Sequence, residues 1–308
     1  MKGLALSEEY YCAFGAGMIE TEFPAYRNRI AVGLVGLGSE CFGFDDEISR
    51  DHDWGPGFCM WLEKSDYDTI GGPLQKAYDA LPGFMGFHRK KSSWGDGRVG
   101  ALSTGDFYAS FIGLPHAPES PDKWLTIQEA SLSACTNGRV FTDPLGAFSG
   151  IRQQLQNHYP EDIRLKKIAA RCMTTAQSGQ YNYPRSLRRK AVYAAFHALA
   201  GFCEDALSLV FLLNRQYKPF YKWACIAAKS LPVLGAYISQ AVEDLIREEE
   251  MREKERRIET ICARLIEALK EQGLSDSPSD FLLDHGPRVH SLIRDEKLKR
   301  LDMWWSGA

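Results

Sequence analysis

The hydrophobic pattern divides the chain into a first part that mixes strand-like and helix-like runs and a second part that is helical throughout. Ile30 to Leu37 (IAVGLVGL) is a short, nearly continuous apolar run ending in glycine, the pattern of a strand covered on both faces. A second strand is expected to begin at Asp51 to Gly55 and to carry its apolar signal on through Phe58 to Leu62. Arg98 to Thr104, introduced by Gly95-Asp96-Gly97, supplies a third. Ser7 is placed to cap a first helix that Pro24 stops, and Pro73 to Leu81 reads as another helix. Asn137-Gly138, between Leu132 to Cys135 and Arg139 to Phe141, carries the dipeptide of a two-residue hairpin.

After Asp143-Pro144 the spacing becomes helical. Leu187 to Leu213 is apolar on most sides and predicts a central, buried helix. Leu231 to Leu245 and Ile258 to Leu269 carry apolar residues at three- and four-residue intervals. The pattern therefore predicts an α+β protein with two domains. Residues 1–147 form a small mixed sheet with flanking helices, and residues 148–308 form a helical bundle. The tail Asp302-Met303-Trp304-Trp305 is expected to pack back on the body through its two tryptophans.

Composition narrows the functional classes. Of 308 residues, 37 are basic and 40 acidic, a formal charge of −3, so no overall positive field favours a nucleic-acid partner. The eight cysteines show no zinc-ligand spacing and read as reduced thiols of a cytoplasmic protein. The N-terminus turns polar before a signal-peptide core develops, and no stretch is expected to reach the roughly 20 apolar residues of a membrane span.

The candidate chemistry lies in GLGSECFGFDDEISRDHDWG, residues 36 to 55. On a strand, Asp51 and Asp53 share one face while His52 points to the other. Two carboxylates side by side repel unless cations bridge them, and Mg²⁺ (or Mn²⁺) is a hard ion that takes carboxylate and phosphate oxygens together. Gly38 allows the backbone to approach a phosphate, to which the local amides and the Ser39 hydroxyl can donate. A bend for phosphates and a carboxylate pair for their metals belong to one reaction.

Gly-Ser followed by Asp-x-Asp at this spacing resembles the DNA polymerase β-type nucleotidyltransferase superfamily, which includes the aminoglycoside and lincosamide nucleotidyltransferases. The string GSECFGFDDEISRDHDWGP looks closer to a bacterial branch known only as a domain of unknown function. The likeness continues through TNGRVFTDPLGAF, RSLRRKAVYAAF and FLLNRQYKPFYKW, from about residue 5 to 235. It implies metal-dependent transfer of a nucleoside monophosphate, AMP being preferred, from a nucleoside triphosphate to a hydroxyl of a small acceptor. A protein or tRNA acceptor stays open, as does a regulatory protein that binds nucleotide without turnover.

This sequence departs from the family pattern in two respects. His52 stands where an apolar residue is usual, and the third carboxylate of active members has no clear counterpart. Asp106 is the first candidate, with a helix N-cap before FYASFIG as its alternative. In the helical part, Arg188 and Arg189, beside Arg185 and Lys190 near the expected start of the long helix, invite an anion such as the triphosphate. Glu204, on a polar stripe with His197, Gly201 and Ser208, is the candidate general base, and Lys218 and Lys222 are candidate phosphate contacts.

Overall fold

A computed structural model describes residues 1–50, 54–87 and 97–307. In chain order its elements are α1 (Gly3–Tyr10), α2 (Ala16–Glu22), β1 (Ala31–Leu34), α3 (Ser39–Phe42), β2 (Cys59–Leu62), α4 (Lys64–Asp79), β3 (Gly100–Ser103) and α5 (Thr104–Ile112). There follow α6 (Pro121–Leu125), α7 (Glu129–Thr136), β4 (Arg139–Thr142), α8 (Ala147–Gln156), α9 (Glu161–Ala176), α10 (Tyr183–Arg188) and α11 (Val192–Leu213). The last are α12 (Tyr221–Ala228), α13 (Gly235–Arg247), α14 (Met251–Glu271), α15 (Gly286–Ser291) and α16 (Glu296–Arg300). Two compact units result: Met1–Pro118 with Ser131–Asn157, and Glu119–Ala130 with His158–Ala308.

The first unit holds a four-stranded mixed sheet in the order β3-β2-β1-β4, with β1 antiparallel to both β2 and β4, and β2 parallel to β3. The parallel pair needs a crossover, which α4 supplies between the two strands. Alternation along β2 separates the faces. Met60 and Leu62 join Val32, Ala101, Ile70 and Leu74 in one core, to which Tyr10, Met18 and Ile19 contribute from α1 and α2. On the other face Trp61 stacks on Phe148 with ring centroids 3.8 Å apart, and Phe107 meets both rings edge-on or tilted. Such pairs add roughly 0.5–1.5 kcal/mol each beyond the area they bury.

Several expectations are corrected here. Ser7 does not cap the first helix; it is buried within α1, whose first amide, Gly3 N, donates to Asp45 Oδ2 at 2.8 Å. That carboxylate from outside the helix satisfies a donor that has no intrahelical acceptor. The second strand, β2, covers Cys59–Leu62 of the expected run; Gly55, with φ 139°, and Pro56 stand before it outside the strand, and the expected start at Asp51 to Asp53 lies outside the described residues. Leu132 to Cys135 is helical, within α7, so Asn137-Gly138 joins a helix to β4 and β4 pairs with β1 across the sheet.

The second unit is built around α9 and α11. The last eight residues of α11, Ala206 to Leu213, are all buried. Contrary to the expectation from the sequence, α11 is long and apolar enough to cross a membrane, yet most of it is covered by packing inside the unit, as in the core helix of a globular domain. Its start is later than expected: α10 ends at Arg188, Lys190 turns the chain with φ 56°, and α11 begins at Val192. The tail is anchored by Ser306, which is buried, whereas Trp304 and Trp305 remain exposed. Six of the eight cysteines are buried and all eight are free thiols.

Candidate functional site

The bend after β1 takes its shape from backbone contacts that reach it from distant parts of the chain. Gly36 and Gly38 have φ of 125° and 124°, a region closed to residues with a Cβ except at considerable strain. Asn137 brackets Gly36 by accepting from its N–H at 2.9 Å and donating to its carbonyl at 2.8 Å. Gly138 N donates to the Cys41 carbonyl at 2.9 Å, and a Cβ on Gly138 would drive into the Leu34 carbonyl. Arg152 Nη2 donates to the carbonyls of Thr136 (2.9 Å), Asn137 (2.6 Å) and Gly138 (3.2 Å), which fixes the bracket itself. The amide of Asn137 thus shapes the glycine bend, a role that a hairpin turn would not have given it.

Beneath the bend, Arg98 Nη2 donates to the Leu37 carbonyl and to Glu40 Oε1, the latter at 3.2 Å. A side chain on Gly38 would collide with both partners of this ion pair. The bend opens onto a cleft of about 340 Å³ whose walls include Gly36, Leu37, Tyr67, Arg98, Ser103 and Asp106. This is the lower end of the size range for small-molecule sites.

Asp106 therefore shares a cleft with Gly36 and Leu37 of the bend. It is not the helix N-cap of the alternative reading: Ser103 caps α5, its Oγ accepting from the Asp106 N–H at 3.3 Å, and Asp106 lies inside the first turn. Its carboxylate lies 3.7 Å from Lys64 Nζ and is well exposed. Asp51 and Asp53, with His52 between them, lie outside the described residues, as does Asp96. The residue that follows the pair is firmly held: Trp54 is buried and its Nε1 donates to Asp45 Oδ2 at 3.1 Å. Among the described residues no group of three or more His, Cys, Asp or Glu side chains could hold a metal ion.

In the second unit, Glu204 and Lys218 pair with one another, so the candidate base and a candidate phosphate contact are mutually engaged. Arg185 and Arg188 stand in the last turn of α10, where the helix dipole favours positive charge, and Arg189 follows them. The dipole argument for an anion near these residues therefore falls away. Lys222 is exposed in the first turn of α12 and lies over the Trp223 ring at 5.5 Å.

Ser208 is drawn out of the expected stripe into a buried polar set: it donates to Glu129 Oε2 at 3.1 Å and accepts from Arg171 Nε at 3.0 Å. Arg171 also donates to Ser306 Oγ at 3.1 Å, tying down the tail. Beside this set, burial pushes the Lys167 ammonium down to about 8, against the opposing pull of Glu129. Sequence reasoning missed Asn137, Arg98 and Arg152 as the frame of the bend. Asn137 carried a signal, but its dipeptide also fits a hairpin.

A family model described as a domain of unknown function (DUF4037) matches residues 124–224, less than half of the chain. No curated protein matches. Among solved structures, the chain is similar to the crystal structure of a nucleotidyltransferase-like protein from Exiguobacterium sibiricum 255-15. The identity is 12% and the TM-score 0.37, over 93% of this chain and 79% of that one.

Proposed function

We propose that the first unit is a metal-dependent nucleotidyltransferase site that takes a nucleoside triphosphate, ATP being preferred, and transfers its nucleoside monophosphate to a hydroxyl of an acceptor. The observation that carries this reading is the braced glycine bend, of which Gly36 and Leu37 line a cleft that also carries Asp106, with Gly38 and Ser39 following them in the chain. The Gly36 N–H is taken by Asn137, so the amides that follow it and the Ser39 hydroxyl would be the donors to phosphate oxygens, and Arg98 holds the bend in place from below. Preorganised donors of this kind need no rearrangement as charge builds up on the phosphate.

Asp51 and Asp53 would hold the divalent ions, with Asp106 as the third carboxylate; their oxygens are hard donors of the type Mg²⁺ selects. Bound there, the ions would supply charge neutralisation for the attacking and departing oxygens. The reading makes no use of Glu204 and Lys218, which engage each other.

A second reading, a nucleotide-binding regulator without turnover, is favoured by one observation. The Asp106 carboxylate lies 3.7 Å from the Lys64 ammonium, a cation that competes with a metal ion for its oxygens. The test is ATP binding with and without Mg²⁺, followed by pyrophosphate release over a panel of hydroxylated acceptors. Turnover that falls roughly 100-fold or more in Asp53→Asn, with the circular dichroism spectrum unchanged, is the expected result. Unchanged release in that variant overturns the metal role, and Mg²⁺-dependent binding without release for any acceptor selects the regulator.

A further inference from the structure

The second unit carries an exposed aromatic face that its core does not use. In the first half of α11, Tyr193 is 80% exposed and Phe196 71%, and Tyr221 on α12 is 69% exposed. Tyr193, Phe196, His197, Ala200 and Glu204 are all exposed and recur at three- and four-residue intervals, so they form one stripe along the helix. At 1.5 Å per residue the stripe runs about 16 Å. The Tyr193 and His197 rings lie nearly parallel, at 20° and 6.1 Å between centroids.

Positive charge is concentrated in the segment that leads into this stripe. Between residues 181 and 223 the chain carries seven Lys and Arg against two acidic residues, although the whole protein is slightly acidic. Arg188, Arg189 and Lys190 immediately precede α11 and are exposed. Arg185 lies over the exposed Tyr181 ring at 4.6 Å. At the far end the Lys218–Glu204 pair ties the segment leading to Phe220, Tyr221 and Lys222 to the stripe.

We propose that this face binds single-stranded nucleic acid, with bases stacked on Tyr193, Phe196 and His197 and phosphates drawn to Arg188, Arg189 and Lys190. Planar rings interleaved with cations are what a base-stacking, backbone-neutralising surface requires, and stacking tolerates any sequence. The large exposed apolar side chains on the stripe are rings, and Val192 is the one large aliphatic residue exposed beside them at the start of α11. The proposal is independent of nucleotidyl transfer in the first unit.

The test is fluorescence anisotropy of the full chain with labelled 12-nucleotide RNA and DNA of mixed sequence, each single-stranded and as a duplex. Sedimentation with phosphatidylserine vesicles runs in parallel. The expected result is binding of single strands in preference to duplex, weakened roughly tenfold or more between 50 and 200 mM salt. Comparing RNA with DNA separates the two sources of the strand. Tyr193→Ala/Phe196→Ala and Arg188→Glu/Arg189→Glu should each weaken binding at least tenfold, the first without changing ATP binding, while Asp53→Asn binds the strand normally. Unchanged affinity in both double variants, no binding at 50 mM salt, or binding to vesicles alone overturns the proposal.

Discussion

Asn137 closes both hydrogen-bonding groups of Gly36 at once, accepting from its N–H at 2.9 Å and donating to its carbonyl at 2.8 Å across 101 residues of chain. The side chain thereby does for the bend what a neighbouring strand does for a ladder. Asn137→Ala removes both bonds and leaves a half-buried amide without its partner. The expected loss is about 2 kcal/mol of unfolding free energy, seen as a lower denaturation midpoint at unchanged slope in urea. An Asn137→Ala midpoint equal to that of the parent chain would show that the bracket contributes nothing.

Gly38→Ala should be more damaging than its small size suggests. A methyl group there meets Arg98 and Glu40, and φ of 124° is strained for any L-residue by about 1–3 kcal/mol. ATP binding should weaken at least tenfold. Gly43→Ala is the control: that glycine also has positive φ, 73°, but a Cβ there meets nothing within 4 Å. Its cost should stay near 1 kcal/mol with ATP binding unchanged. Equal effects at the two positions would show that the Arg98–Glu40 pair does not matter.

His158 makes stability depend on pH from the acid side. Burial, then the nearby Arg164, holds its imidazole neutral down to about 3. In the unfolded chain it takes up a proton near 6.5, so between these values the unfolded state binds more protons and stability falls as pH is lowered. The slope from this one group is at most about 1.4 kcal/mol per pH unit. His158→Phe, which keeps a ring against Tyr217, should therefore lose less stability than the parent between pH 6.5 and 5. Parallel stability curves for the two proteins over that range would contradict the assignment.

The sheet was legible where local pattern and tertiary role agree. The apolar runs at Ile30 and Phe58 and the turn before Arg98 all led into strands, because their residues are covered on both faces. The hairpin at Asn137-Gly138 was misread because the dipeptide that favours a tight turn also suits a helix-to-strand junction, where the asparagine amide is used elsewhere. Gly38 and Ser39 stand out in the sequence by their pattern, and Asp106 only through the third carboxylate that the family resemblance implies. Arg98 and Glu40 do not, since nothing local announces an ion pair between residues 58 apart. The exposed rings of α11 were hidden by composition itself: a helix that is apolar all round gives no sign of which half is uncovered. The local excess of positive charge was likewise averaged away in the net charge of −3.

The sheet order places β4 against β1, so the glycine bend receives its brace late in synthesis. A ribosome adding about 5–20 residues per second delivers Asn137 some seconds after Gly36 has emerged. Until then α1, α2 and the first strands can gather around their shared core while the bend keeps no fixed form. A nascent chain that stalls before Gly138 would thus have most of its first hydrophobic core and no shaped pocket, and ligand capture becomes a late checkpoint on completion of the fold.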